Sequence, residues 1–142
     1  MMEVNQRLVT QADKDILRLV DSTQNADGVQ FAQMSCGGWK MRRDEASREK
    51  ALYAPTPKPN EHWRVHVQTY GFDGKLYRDA EGIYAVKHYE LPIAAEEAIE
   101  DMYEGETSVV YAPWYTAYGP HGNEFIGGHK NVRFVITLKG KE

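Results

Sequence analysis

Trp63-Arg64-Val65-His66-Val67-Gln68-Thr69-Tyr70 alternates apolar or β-branched side chains with polar ones. A period of two sends one set to each face of a sheet, so the stretch predicts a half-buried strand. Asp73-Gly74 follows and predicts a hairpin turn, because glycine tolerates positive φ at low cost. Lys75 to Arg78 is then the returning strand. Near the C-terminus Val132, Phe134, Ile136 and Leu138 alternate in the same way and predict a last strand.

Between these ends, Tyr84 to Glu90 is rich in aromatic and β-branched residues and predicts another strand. Leu91-Pro92-Ile93 opens a helix, since proline suits the first helical turn. Its apolar stripe is Ala95, Ala98, Ile99 and Met102. Glu96, Glu97, Glu100 and Asp101 are expected to face water, and Gly105 to cap the C-terminus. Thr107 to Pro113 predicts a strand, and Gly119 to Gly128 a glycine-rich loop. Upstream, Thr10 to Asp13 resembles a capping box, and Ala12, Ile16, Leu19 and Val20 recur at helical spacing. That predicts a helix over about 11–23. Val29 to Met34 and Trp39 to Arg43 predict short strands, and the proline-marked stretch 44–60 a loop. The order is that of an α+β domain, a curved antiparallel sheet packed on one helix with an extra N-terminal helix. Residues 1–27 are read as an extension and 28–142 as the domain.

The chain has 142 residues, 42% hydrophobic, which suits one core. A net charge of -4 argues against nucleic acid as a partner. Arg42 and Arg43 are followed by Asp44 and Glu45 and read as solvated surface. The one cysteine, Cys36, excludes an intrachain disulfide and a cysteine metal cluster, and reads as a half-buried thiol. His62 and His66 share a strand face but lack further ligands nearby, so no metal or other cofactor is expected. No apolar run reaches the roughly 20 residues of a membrane span.

Several segments, in register, resemble the FKBP-type peptidyl-prolyl isomerases. Pro57 to Val67 resembles the family's P-x-x-G-x-x-V-x-V-H-Y, with Asn60 in the glycine position. Phe72 to Tyr77 resembles L-x-D-G-x-x-F, and Glu96 to Gly105 resembles the family's helix pattern ending M-x-x-G-E. Ala117-Tyr118-Gly119 matches A-Y-G. Phe125 to His129 resembles I-I-P-P-H without its prolines, and Asn131 to Ile136 the final strand. The likeness covers about residues 57–138, and more loosely 28–56. The front end, Asn5 to Val9 and the charged helix, is similar to bacterial envelope lipoproteins of the gliding-motility branch.

The resemblance implies isomerisation of X-Pro bonds in a pocket with Tyr77, Tyr118 and Phe134 in the catalytic wall, and with Leu91, Ile126 and Tyr84 binding substrate. Without it, Tyr118, Phe134 and Ile126 read as core. Four departures imply weakened activity: Val67 for the pocket tyrosine, Arg78 for the aspartate after the aromatic wall, Pro92 for a residue whose N–H binds ligand, and Ala95 for the tryptophan floor. They leave a second reading open, a non-catalytic chaperone or protein-binding module. Trp114-Tyr115 reads equally as an exposed aromatic patch or as rim packing. The expected partners are proline-containing peptides or unfolded chains, met by a monomer. The expected location is the cell envelope or periplasm if a signal segment has been removed, otherwise the cytoplasm.

Overall fold

A computed structural model describes residues 2–142, with side chains from Asn5 onward. Six strands form one antiparallel sheet in the order β1-β2-β5-β6-β3-β4. In chain order these are α1 (Met2–Asp27), β1 (Phe31–Gln33), β2 (Trp39–Met41), α2 (Glu45–Ala51), β3 (His62–Gly71), β4 (Leu76–Ala85), α3 (Ile93–Ile99), β5 (Thr107–Ala112) and β6 (Val132–Lys141). A 3₁₀ turn, Trp114–Thr116, follows β5.

The period-two alternation assigns a helix to each face of the sheet. Trp63, Val65 and Val67 of β3, Val110 and Ala112 of β5, and Val132 to Leu138 of β6 pack with Ala94, Ala95, Ala98 and Ile99 of α3. Tyr111 points the other way. With Phe31 it buries against Ile16 and Val20 of α1. Fully burying such side chains is worth roughly 1.5–3 kcal/mol each, enough to dock both helices.

Four local expectations are corrected. α1 starts far ahead of Thr10, because Asn5 to Val9 contains nothing that breaks a helix. The stretch 44–60 is not all loop: Asp44 caps α2 by accepting a hydrogen bond from the Ser47 N–H at 2.8 Å. The return strand and the Tyr84 strand are one element, β4, and Val86 to Glu90 turns away from the sheet. α3 ends at Ile99, so Gly105 (φ 92°) serves the turn into β5 and does not cap the helix.

The acidic face of α3 is also corrected. Glu96 is buried, with 1% of its surface exposed. Glu97 is half-buried, accepting from the Ser35 N–H and hydroxyl at 2.7 Å each. Among the four acids only Asp101 is exposed, and it pairs with Lys40. Arg43 is no solvated surface residue either: it grips buried Glu106 through Nε at 2.7 Å and Nη2 at 3.0 Å. Among the described residues no helix is long and apolar enough to cross a membrane.

Candidate functional site

The register between β3 and β4 builds one wall of a cleft. Trp63 faces Tyr84, Val65 faces Gly82, Val67 faces Ala80 and Thr69 faces Arg78. Directly paired residues share a face, so β4 presents Arg78, Ala80, Gly82 and Tyr84 on the side where β3 turns Val67 and Thr69. Large residues stand at the ends of this row and small ones between them. At Gly82 a Cβ would meet the Tyr84 ring at about 3.2–3.3 Å, so glycine lets that ring lie back along the strand. The resulting cleft of about 620 Å³ is closed on the far side by Leu91, Pro92, Tyr115 and Tyr118. That volume is in the range of small-ligand sites.

Tyr118 is half-buried at the centre. Its hydroxyl is 3.1 Å from the Thr69 hydroxyl, and Thr69 is 1% exposed. Burial pushes the Tyr118 hydroxyl up from its ordinary value of 10.0, partly offset by the Thr69 hydrogen bond and the nearby charge of Arg78. It therefore stays protonated at neutral pH. When Thr69 donates, the Tyr118 proton is free for a ligand carbonyl. The ring is braced edge-on by Phe125 at 5.1 Å and by Phe134 at 6.1 Å.

Of the six residues singled out in the sequence, Tyr84, Leu91 and Tyr118 line this cleft. Phe134 and Ile126 are buried beneath it, 0% and 3% exposed, and support the lining without reaching it. Tyr77 is not in the cleft. The register slips between Thr69, which faces Arg78, and Tyr70, which faces Leu76, so Tyr77 is the extra residue of a β-bulge. Its ring folds onto Gly71, where a Cβ would lie 2.6 Å from it, and its hydroxyl donates to Asp73 at 3.3 Å. The bulge places Arg78 at the cleft face.

Three of the four departures from the family pattern fall on the same surface. Val67, Arg78 and Pro92 line the cleft. Pro92 precedes α3 and has no N–H to offer a ligand. Ala95 is fully buried, so the space above it is filled and not open.

Sequence reading missed Tyr89. It is 61% exposed on the cleft rim and held at φ 55° in the loop between β4 and α3. The Tyr89 N–H donates to the buried Glu96 carboxylate at 2.9 Å, and Lys87 in the same loop also has positive φ, 68°. The other Glu96 carboxylate oxygen is buried without a partner among the described residues. Burial raises the Glu96 carboxyl above its ordinary 4.5, against the lowering effect of the Tyr89 hydrogen bond. No periodic signal marks a loop pinned from below by an acid.

The two readings of Trp114-Tyr115 are now separable. Trp114 is 8% exposed, its ring edge-on to His129 at 4.6 Å, which is rim packing. Tyr115 lines the cleft, and its hydroxyl donates to Asp13 of α1 at 2.5 Å. That hydroxyl passes so close to Gly37 (φ 108°) that a Cβ there would come within 2.9 Å. Cys36 is half-buried and burial raises its thiol above the ordinary 9.0, as a quiet thiol requires.

No protein-family model matches the chain, and no curated protein matches it. Solved structures do. A peptidyl-prolyl cis-trans isomerase from Pseudomonas syringae pv. tomato superposes with a TM-score of 0.66 at 17% identity, over 94% of this chain and 96% of that one. FkpA from Escherichia coli gives 0.71 at 15%, over 96% of this chain and 62% of that one. The three-FKBP-domain structure of wheat FKBP73 gives 0.67 at 13%, over 80% and 51%. The chain thus spans about half to nearly all of these neighbours. With its curved antiparallel sheet, α3 against one face and α1 against the other, the chain has an FKBP-like fold.

Proposed function

We propose that the chain is an FKBP-type peptidyl-prolyl cis-trans isomerase whose altered pocket makes it slower than a pocket with a full aromatic lining. One observation carries this: on an FKBP-like fold, the Tyr118 hydroxyl stands protonated in an aromatic cleft with Thr69 supporting it from behind.

The chemistry asks little of the protein. Rotation about an X-Pro bond breaks amide resonance over a barrier of roughly 18–20 kcal/mol. Its cis and trans forms differ by only about 0.5–1 kcal/mol. Catalysis therefore means binding the twisted amide better than either planar form. Tyr84, Leu91 and Val67 offer apolar surface to the proline ring and keep water from the amide. Tyr118 donates to a flanking carbonyl. Phe134 and Ile126 fix the position of that wall from below. Tyr77 has no part in this reading. Pro92 removes one backbone donor from the rim, and Ala95 in place of an indole removes roughly 150–250 Å² of aromatic surface. Both lower the affinity for proline.

A protease-coupled assay on a short Leu-Pro or Phe-Pro peptide tests the proposal. Acceleration proportional to protein concentration supports it. No acceleration at micromolar folded protein sinks it and leaves the binding-module reading. The envelope placement belongs to the same proposal and rests on the likeness of the front end alone. An upstream apolar segment ending in a lipidated cysteine, found by labelling cells with a radioactive fatty acid, is its test.

A further inference from the structure

We propose that Arg78 makes the cleft selective for peptides that carry an acidic residue within about three positions of the proline. This rests on the isomerase reading and names the substrate class of the same site.

The bulge at Tyr77 sets Arg78 opposite Thr69, on the cleft side of β4. Arg78 is exposed, and its guanidinium is seated on an aromatic ring. It lies 4.9 Å above the Phe125 ring, and that ring packs edge-on against Tyr118 at 5.1 Å. Phe134, Tyr118, Phe125 and Arg78 thus form one stack from the core to the rim, with the cation on top.

Its charge is also unspent. Lys40, Arg43, Arg64, Lys87, Lys139 and Lys141 each have a carboxylate within ion-pair distance. Arg78 has none among the described residues. The one carboxylate in the cleft lining, Glu90, is turned onto the Ala85 N–H at 3.0 Å. The positive field of Arg78 reaches inward far enough to act on the Tyr118 hydroxyl.

The contacts bound where an anion belongs. Through Phe125, 5.1 Å from the Tyr118 ring and 4.9 Å from the Arg78 cation, the two are joined by steps that set an upper limit on their separation. An extended peptide advances at most roughly 3.3–3.6 Å per residue. With proline against Tyr118, a side-chain carboxylate on the second or third residue along the groove reaches Arg78. Guanidinium also pairs with carboxylate through two parallel hydrogen bonds, which a neutral side chain cannot match.

The test uses X-Pro peptides of one sequence, with Glu, Gln or Lys two or three residues before the proline, and a mirrored set after it. Relative kcat/KM is read at about 0.02 M and about 0.5 M salt. In one of the two sets the Glu peptide is expected to beat the Lys peptide by about two- to five-fold at low salt, the scale of an exposed ion pair. High salt closes the gap. Arg78→Glu, checked for folding by circular dichroism, reverses the order, while Lys139→Gln keeps it. Equal turnover of Glu and Lys peptides in both sets, or an order unchanged by Arg78→Glu, overturns this inference alone. No turnover of any peptide, Gln included, overturns the isomerase reading and this inference with it.

Discussion

Tyr118 keeps its proton because burial opposes its ionisation, and that proton is open to a ligand whenever Thr69 donates to the Tyr118 oxygen. Tyr118→Phe removes one hydrogen bond to the ligand, worth about 0.5–1.5 kcal/mol. Isomerase kcat/KM is expected to fall by roughly two- to ten-fold, with thermal unfolding showing a change of at most about 1 kcal/mol. Thr69→Val should cost activity in the same direction, because the Tyr118 hydroxyl then loses the hydrogen bond that holds it in place; an unchanged kcat/KM in both variants would remove Tyr118 from the site. Glu96 makes a separate prediction. Its pKa is raised in the folded state, so the folded protein binds the extra proton. The stability contributed by that proton is complete below the ordinary carboxyl value of 4.5 and is lost as pH rises above it. Glu96→Gln carries no such titration. Urea midpoints of the two proteins should lie close together near pH 4.5, with the Gln variant gaining ground toward neutral pH. A gap that does not change with pH would show that Glu96 titrates normally.

At the scale of elements, the strands with clean alternation were readable and the rest were not. Trp63 to Thr69 and Val132 to Leu138 each bury one face, and the period of two follows directly. β4 interrupts its own pattern with Asp79, Glu81 and Gly82, because its outer face is at the sheet edge and its inner face leaves room for a cleft. The bulge that removes Tyr77 and installs Arg78 is a matter of pairing between strands, so neither strand's sequence announces it. α2 was hidden by the prolines that follow it, although Asp44 and Ser47 stand at capping distance. Arg43 links β2's exit to the turn before β5 through Glu106, whose side chain is 5% exposed. Arg43→Ala leaves that carboxylate buried without its cation and with only the Tyr103 N–H, at 3.2 Å, as a partner, and a loss of about 2–4 kcal/mol is expected in chemical denaturation. A loss under roughly 0.5 kcal/mol would mean that Glu106 is solvated after all.

Across the whole molecule, the sequence carried the architecture further than the site. Six family-like segments in register pointed to the sheet and α3. The cleft depends on which residues the register sets side by side, and of the six residues expected there Tyr84, Leu91 and Tyr118 line it. α1 reaches the same cleft from the opposite face of the sheet, through Asp13 on Tyr115. Ile16 is 1% exposed at the centre of that docking surface, so Ile16→Ala should cost about 2–5 kcal/mol of packing. Hydrogen exchange should then show α1 losing protection while β3 and β6 keep theirs. Uniform loss would make α1 part of one cooperative unit with the sheet.

The central claim is that this cleft binds and turns over X-Pro peptides, and exchange NMR on a labelled Leu-Pro peptide addresses both halves at once. Catalytic amounts of the protein should produce cis–trans exchange cross-peaks, weaker with Tyr118→Phe, and peptide should shift the resonances of Tyr84, Leu91 and Tyr118. Absence of exchange together with unmoved cleft resonances, in a protein whose spectrum shows it folded, would contradict the account.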